Sequence, residues 1–212
     1  MSNIELNDVT AILNYGLESQ RCVADVNTVA SDIIKHREYD EVLECFRELL
    51  SIAGNVDMQE VLKKERRLDE LSAQFMKQRI ELAKEGKVLQ ELRHTNEAYI
   101  LRLDDEIKEA QEYLDGGMGK QKKNLDLMML KGTLKKRIYE LMTSRTVAES
   151  FTAQIKISEE NCFSMSDKAW NATVTIIPLL RGRISMEGNR TVIERTQNII
   201  RENMTELEGK LR

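Results

Sequence analysis

Proline is nearly missing from this chain. One Pro and ten Gly stand among 212 residues. Short strands and irregular loops normally need more of both, so long stretches are free to remain helical. Aromatics are scarce, at 5%. A compact enzyme of this length usually fills its core with more aromatic mass. Low aromatic content beside 32% charged residues suits helices packed along narrow seams. The three cysteines, Cys22, Cys45 and Cys162, are widely spaced and form no CxxC pair, which reads as reduced thiols in a cytoplasmic protein. No apolar run approaches the roughly 18 residues of a membrane span. Residues 1–10 lack the basic stretch and apolar block of a signal peptide. Neither charge sign dominates: 32 Lys and Arg face 36 Asp and Glu, for a net charge of −4. That leaves no basic field of the kind that holds nucleic acid. The expected location is the cytoplasm, and nucleic acid is not an expected partner.

What is present is heptad spacing. Hydrophobic residues make up 41% of the chain, and their regular placement argues against disorder. Residues 7–53 carry helical periodicity through Val9, Ile12, Leu13, Val23, Val26, Ala30, Ile33 and Ile34, with Asn7 or Asp8 as the helix cap. A polar stretch over residues 36–40 suggests a break. Val42, Cys45, Phe46, Leu49 and Ala53 then share one face, and Gly54-Asn55 stops the helix. From Val61 the a positions read Val61, Leu68, Phe75, Leu82, Leu89, Asn96, Leu103 and Ala110, a coiled-coil seam with one polar member. The d positions, among them Lys64, Gln78, Glu85 and Glu106, are weaker. Gly86 is a place for this helix to bend. Three glycines within residues 115–120 then interrupt it. Gly119-Lys120 followed by Gln121 does not complete a phosphate loop, so the segment reads as a reversal. Beyond it Leu127, Leu134, Leu141, Ala148, Ile155 and Cys162 recur every seven residues. Pro178 predicts a kink or a fresh helix start, and residues 189–211 form a last helix.

Two long striped helices joined by a short glycine turn fold back antiparallel, each covering the other's stripe. The expected fold is therefore all-α: an elongated antiparallel helical hairpin or coiled coil with additional N- and C-terminal helices. The expected organisation is an N-terminal helical segment over residues 1–55, then a long hairpin over residues 56–212 with its turn near 115–120 and its kink near 178.

Residues 134–186 hold three blocks: Arg145, Val147, Ala148, Gln154, Ile155 and Lys156; then Asn161; then Ile177, Pro178, Leu179, Leu180 and Arg181. In these blocks the chain resembles the TelA family of toxic-anion (tellurite) resistance proteins. It departs at Ala153, where the family has Pro, and at Leu180, where it has Trp. The match covers about a quarter of the chain in its specific part. It implies a cytoplasmic helical protein tied to tellurite and related stress, and it brings no catalytic motif.

Candidate sites are few. His36 and Asp40 share a helical face, but two ligands do not make a zinc site. Asp104-Asp105 and Glu159-Glu160 point apart on a helix and read as solvated charge. No Ser or Cys has a His neighbour to activate it. Asn96 either fixes the register of the seam or lies exposed beyond the end of its partner helix. Arg145, Gln154 and Lys156 form an anion- or partner-facing patch, or else an ordinary solvated face. Arg181 and Arg183 beside the Pro178 break could meet an anion or an acidic protein surface. The expectation is a non-enzymatic scaffold without metal or cofactor, acting on protein partners or on itself. Two alternatives are a helical protein lying on a membrane surface and an oxyanion-handling enzyme that uses its cysteines.

Overall fold

A computed structural model describes residues 6, 8–35, 39–54, 61–116, 125–185 and 190–210. Among them are seven α-helices and no strand: α1 (Val9–Asn14), α2 (Leu17–Lys35), α3 (Asp40–Gly54), α4 (Val61–Gly116), α5 (Leu125–Asn171), α6 (Ile177–Ser185) and α7 (Arg190–Lys210). A π-helical turn, Ala172–Ile176, joins α5 to α6. The all-α fold, with two long helices packed on each other and further helices at either end, is as the heptads predict. The expected cap at Asn7, the break at residues 36–38, the stop at Asn55 and the reversal over residues 117–120 lie outside the described residues.

Local chemistry sets the helix ends. The Asp8 carboxylate accepts a hydrogen bond from the Ala11 amide at 2.7 Å, satisfying a donor that the first turn of α1 would leave open. Asp40 and Glu41 open α3, where negative charge suits the helix dipole. Pro178 has no amide proton, and its ring would crowd the carbonyl four residues back. The chain answers with the wider π turn, in which the Ile177 amide reaches Ala172 O, five residues back, before α6 begins.

The described chain forms two compact units, each assembled from distant segments. The first takes Met1–Lys35 with Leu89–Ile157. Its core joins Ile12 of α1 and Val23 of α2 to Leu103, Ile107 and Ala110 of α4 and to Leu134, Ile138, Leu141 and Ala148 of α5. The second takes His36–Val88 with Ser158–Arg212. Its core joins Phe46 and Leu49 of α3, Leu68, Leu71 and Phe75 of α4, Met165 and Ala169 of α5, Leu180 of α6, and Ile200 and Leu207 of α7. Phe46 meets Phe75 edge to face, with ring centroids 4.9 Å apart, a favoured aromatic geometry. Burying each such side chain contributes about 1.5–3 kcal/mol.

Within each unit α4 and α5 run antiparallel. In the first, Asn96 meets Ala148 and Thr152, while Asp104, further along α4, meets Arg145, further back along α5. In the second, the Ser166 hydroxyl donates to the Arg79 carbonyl at 3.1 Å, and Gly86, a turn or two later, lies against Cys162 and Phe163. The a positions of α4 from Leu68 to Ala110 are all buried, and so are Leu134, Leu141, Ala148, Ile155 and Cys162 on α5. Leu127 is half-buried.

At Gly86, where the sequence offers a place to bend, α4 remains helical. A Cβ at this position would lie 3.0 Å from the Phe163 ring and 3.2 Å from the Cys162 Cβ. The glycine lets two backbones approach, and that requirement comes from the facing helix.

Candidate functional site

Asn96 is fully buried, at 0% exposure. Its Nδ2 donates to the Ala148 carbonyl at 3.1 Å and to Thr152 Oγ1 at 2.9 Å. Of its two readings, the exposed one is therefore excluded. A polar side chain inside an apolar seam is satisfied at one offset of the helices and left unsatisfied at others, which is how such residues set register.

Arg145, Gln154 and Lys156 do not converge. Arg145 is paired across the seam with Asp104 and along its own helix with Glu149 at 3.0 Å. The hydrogen bond to Asp104 raises its already high pKa. Gln154 and Lys156 are exposed. At 100° per residue, Gln154 falls on roughly the opposite side of α5 from Arg145, while Lys156 returns to the Arg145 side about 16 Å further along.

Arg181 and Arg183 likewise part company, as residues two apart on a helix must. Arg181 pairs with Asp69 of α4. Arg183 is buried, and its Nη1 donates to the Ala53 carbonyl at 2.9 Å, beside Gln197 Nε2 at 3.1 Å. Both donors close the C-terminal end of α3, whose last carbonyls have no helical partner. Burial lowers the Arg183 pKa.

Of the paired carboxylates, Asp104 pairs with Arg145 while remaining partly exposed, and Glu159 is buried, against the expectation that it is solvated. Their neighbours Asp105 and Glu160 are exposed. His36 lies outside the described residues.

Cys45 lines a groove of about 600 Å³ between α3 and α4, with Glu41, Glu44, Glu48, Arg67 and Gln78 around it. Burial first, then the negative charges of Glu48 and Glu41, push the Cys45 thiol up to about 11. It is protonated at neutral pH, whereas nucleophilic or anion-reducing chemistry needs a thiolate. Glu48 is held by Arg67, and Glu41 accepts from Gln78. Cys162 is buried, and Cys22 is half-buried and hydrogen-bonded to Tyr99.

One polar network has no counterpart among the candidate sites read from the sequence. It surrounds the turn between α1 and α2, where Gly16 has φ +67°. The Tyr15 hydroxyl donates to the Glu106 carbonyl at 3.0 Å and to Glu109 at 3.1 Å. Burial and Glu109 raise its pKa. Arg137 Nε donates to the Tyr15 carbonyl at 2.7 Å, and the Ser19 hydroxyl donates to Glu106 at 2.7 Å. These contacts pin the N-terminal helices onto α4 and α5. Gly16, inside an otherwise helical pattern, was the available signal.

Among the described residues, no three His, Cys, Asp or Glu side chains cluster as metal ligands. No described helix is long and apolar enough to cross a membrane. No family model matches this chain, and neither does any curated protein or solved structure.

Proposed function

We propose that this chain is a non-enzymatic helical interaction scaffold of the cytoplasm, serving resistance to tellurite and similar anions. One observation supports the scaffold reading. The charged groups of the seam and of the Pro178 region are engaged inside the fold, while the outward face of α5 carries exposed apolar side chains, Tyr139, Met142, Val147 and Ile157. Contiguous exposed apolar surface marks interaction sites. The tellurite part rests on the resemblance of residues 134–186 alone.

A photo-crosslinker placed at Val147 in the native cell tests the scaffold. The expected result is a discrete set of crosslinked proteins, or the chain crosslinked to itself; a blank result contradicts the reading. The tellurite part is tested by deleting the gene and measuring growth on tellurite. Tolerance should fall, and unchanged tolerance would remove that part while leaving the scaffold.

A further inference from the structure

We infer that a groove between α4 and α5 in the second unit docks an acidic, extended peptide segment of a partner protein. This rests on the scaffold reading and gives the partner its chemistry. The groove holds about 460 Å³. Arg79, Lys84 and Lys87 of α4 line it, and Ile80 and Phe163 give it apolar surface. Among the described residues that line it, Asp167 is the one acid against these three bases. Among the described residues, none of the three cations has a carboxylate partner, whereas Arg67, Arg145 and Arg181 each have one.

Arg79 is set in place before any ligand arrives. Its guanidinium carbon lies 4.1 Å from the centroid of the Trp170 ring. The ring face covers one side of the guanidinium and leaves its edge N–H donors open to an acceptor. A cation held this way loses little further freedom on binding. Lys84 and Lys87 are exposed and add charge without fixed geometry.

Spacing selects the occupant. Arg79 and Lys87 stand about 12 Å apart along the α4 axis, at 1.5 Å per residue. An extended chain covers that distance in about four residues, at roughly 3.3 Å each. Side chains at i, i+2 and i+4 of such a chain share one face. An acid, an apolar residue and an acid at those positions therefore meet Arg79, the Ile80 and Phe163 surface, and Lys87 together. A single small anion occupies one end only. A nucleic-acid strand carries charge at every unit, which brings phosphate against Asp167, and a chain of net charge −4 repels it more than a peptide whose acids are spaced.

Fluorescence anisotropy of a labelled peptide against the full chain, titrated to about 1 mM, tests the docking. The probe reads glutamate, serine, phenylalanine, serine, glutamate and carries fluorescein at one end. Saturable binding is expected, and it should weaken several-fold between about 50 mM and about 500 mM salt because the charge pairs are open to solvent. Lys84→Glu with Lys87→Glu should weaken it at least about tenfold, with helical circular dichroism and Tm unchanged because both sites are exposed. Binding indifferent to that double substitution overturns the proposal. So does equal binding of a peptide with lysines in place of its glutamates, or tighter binding of a short thymidine oligonucleotide. An acidic peptide that fails to bind, with crosslinks still formed at Val147, overturns the acidic partner alone; failure of both overturns the scaffold reading with it.

Discussion

At Asn96 the amide nitrogen is well used and the amide oxygen is not. Nδ2 reaches two acceptors across the seam, while Oδ1 is buried without a hydrogen-bond partner. Leaving such a group unsatisfied costs about 1–3 kcal/mol. Its acceptors do not depend on it, because Thr152 Oγ1 also donates to the Ala148 carbonyl. Asn96→Leu should therefore raise the unfolding free energy by about 1 kcal/mol in a urea titration. A loss of similar size would show that the amide contributes stability as well as register. Gly16 predicts the opposite sign. Its φ of +67° already disfavours any side chain, and a Cβ there would lie 2.8 Å from both Leu141 Cδ2 and Glu106 Oε2. Gly16→Ala should cost about 1–3 kcal/mol, lowering Tm by roughly 2–10 °C for a chain of this size. An unchanged Tm would mean that the turn between α1 and α2 is not held as described.

Among the elements, α3 shows how an end is closed from a distance. Arg183 of α6 and Gln197 of α7 both donate to the Ala53 carbonyl, so either donor can satisfy it without the other. Arg183→Met or Gln197→Leu alone should cost under about 1 kcal/mol, while the pair should cost about 2–3 kcal/mol because the carbonyl is then stranded. Strict additivity in the double-mutant cycle would contradict the shared-acceptor account. The sequence could not show this. Arg181-Gly182-Arg183 reads as a surface cation pair, and only the packing of α6 on α3 turns Arg183 inward. The heptads of α4 and α5, by contrast, were legible because their period is a property of each helix alone. The close approach at Gly86 was not legible for the same reason in reverse: it depends on Cys162 and Phe163 of the facing helix. Pro178 announced a disturbance, and its solution, a π turn, depended on how the buried faces of α5 and α6 were both to be kept.

For the molecule as a whole, the stripe on a long helix does not say which outer helix packs along which stretch of it. The grouping of α1 and α2 with residues 89–157, and of α3, α6 and α7 with residues 36–88 and 158–212, comes from contacts such as Tyr15 on Glu106 and Phe46 on Phe75. Single residues far apart in sequence make those contacts, and no local pattern encodes them. The candidate site was less legible still, since Arg145, Arg181 and Arg183 all carry internal contacts that only the fold reveals. The central claim is that within each unit α4 and α5 run antiparallel at one offset, and Gly86→Cys tests it directly in the second unit. The new Cβ would sit 3.2 Å from that of Cys162, close to the roughly 3.5–4.5 Å of a disulfide. After mild oxidation and peptide mapping, the account predicts a bridge from position 86 to Cys162. A bridge to Cys22 or Cys45, or a free thiol at position 86 in the folded chain, would contradict it.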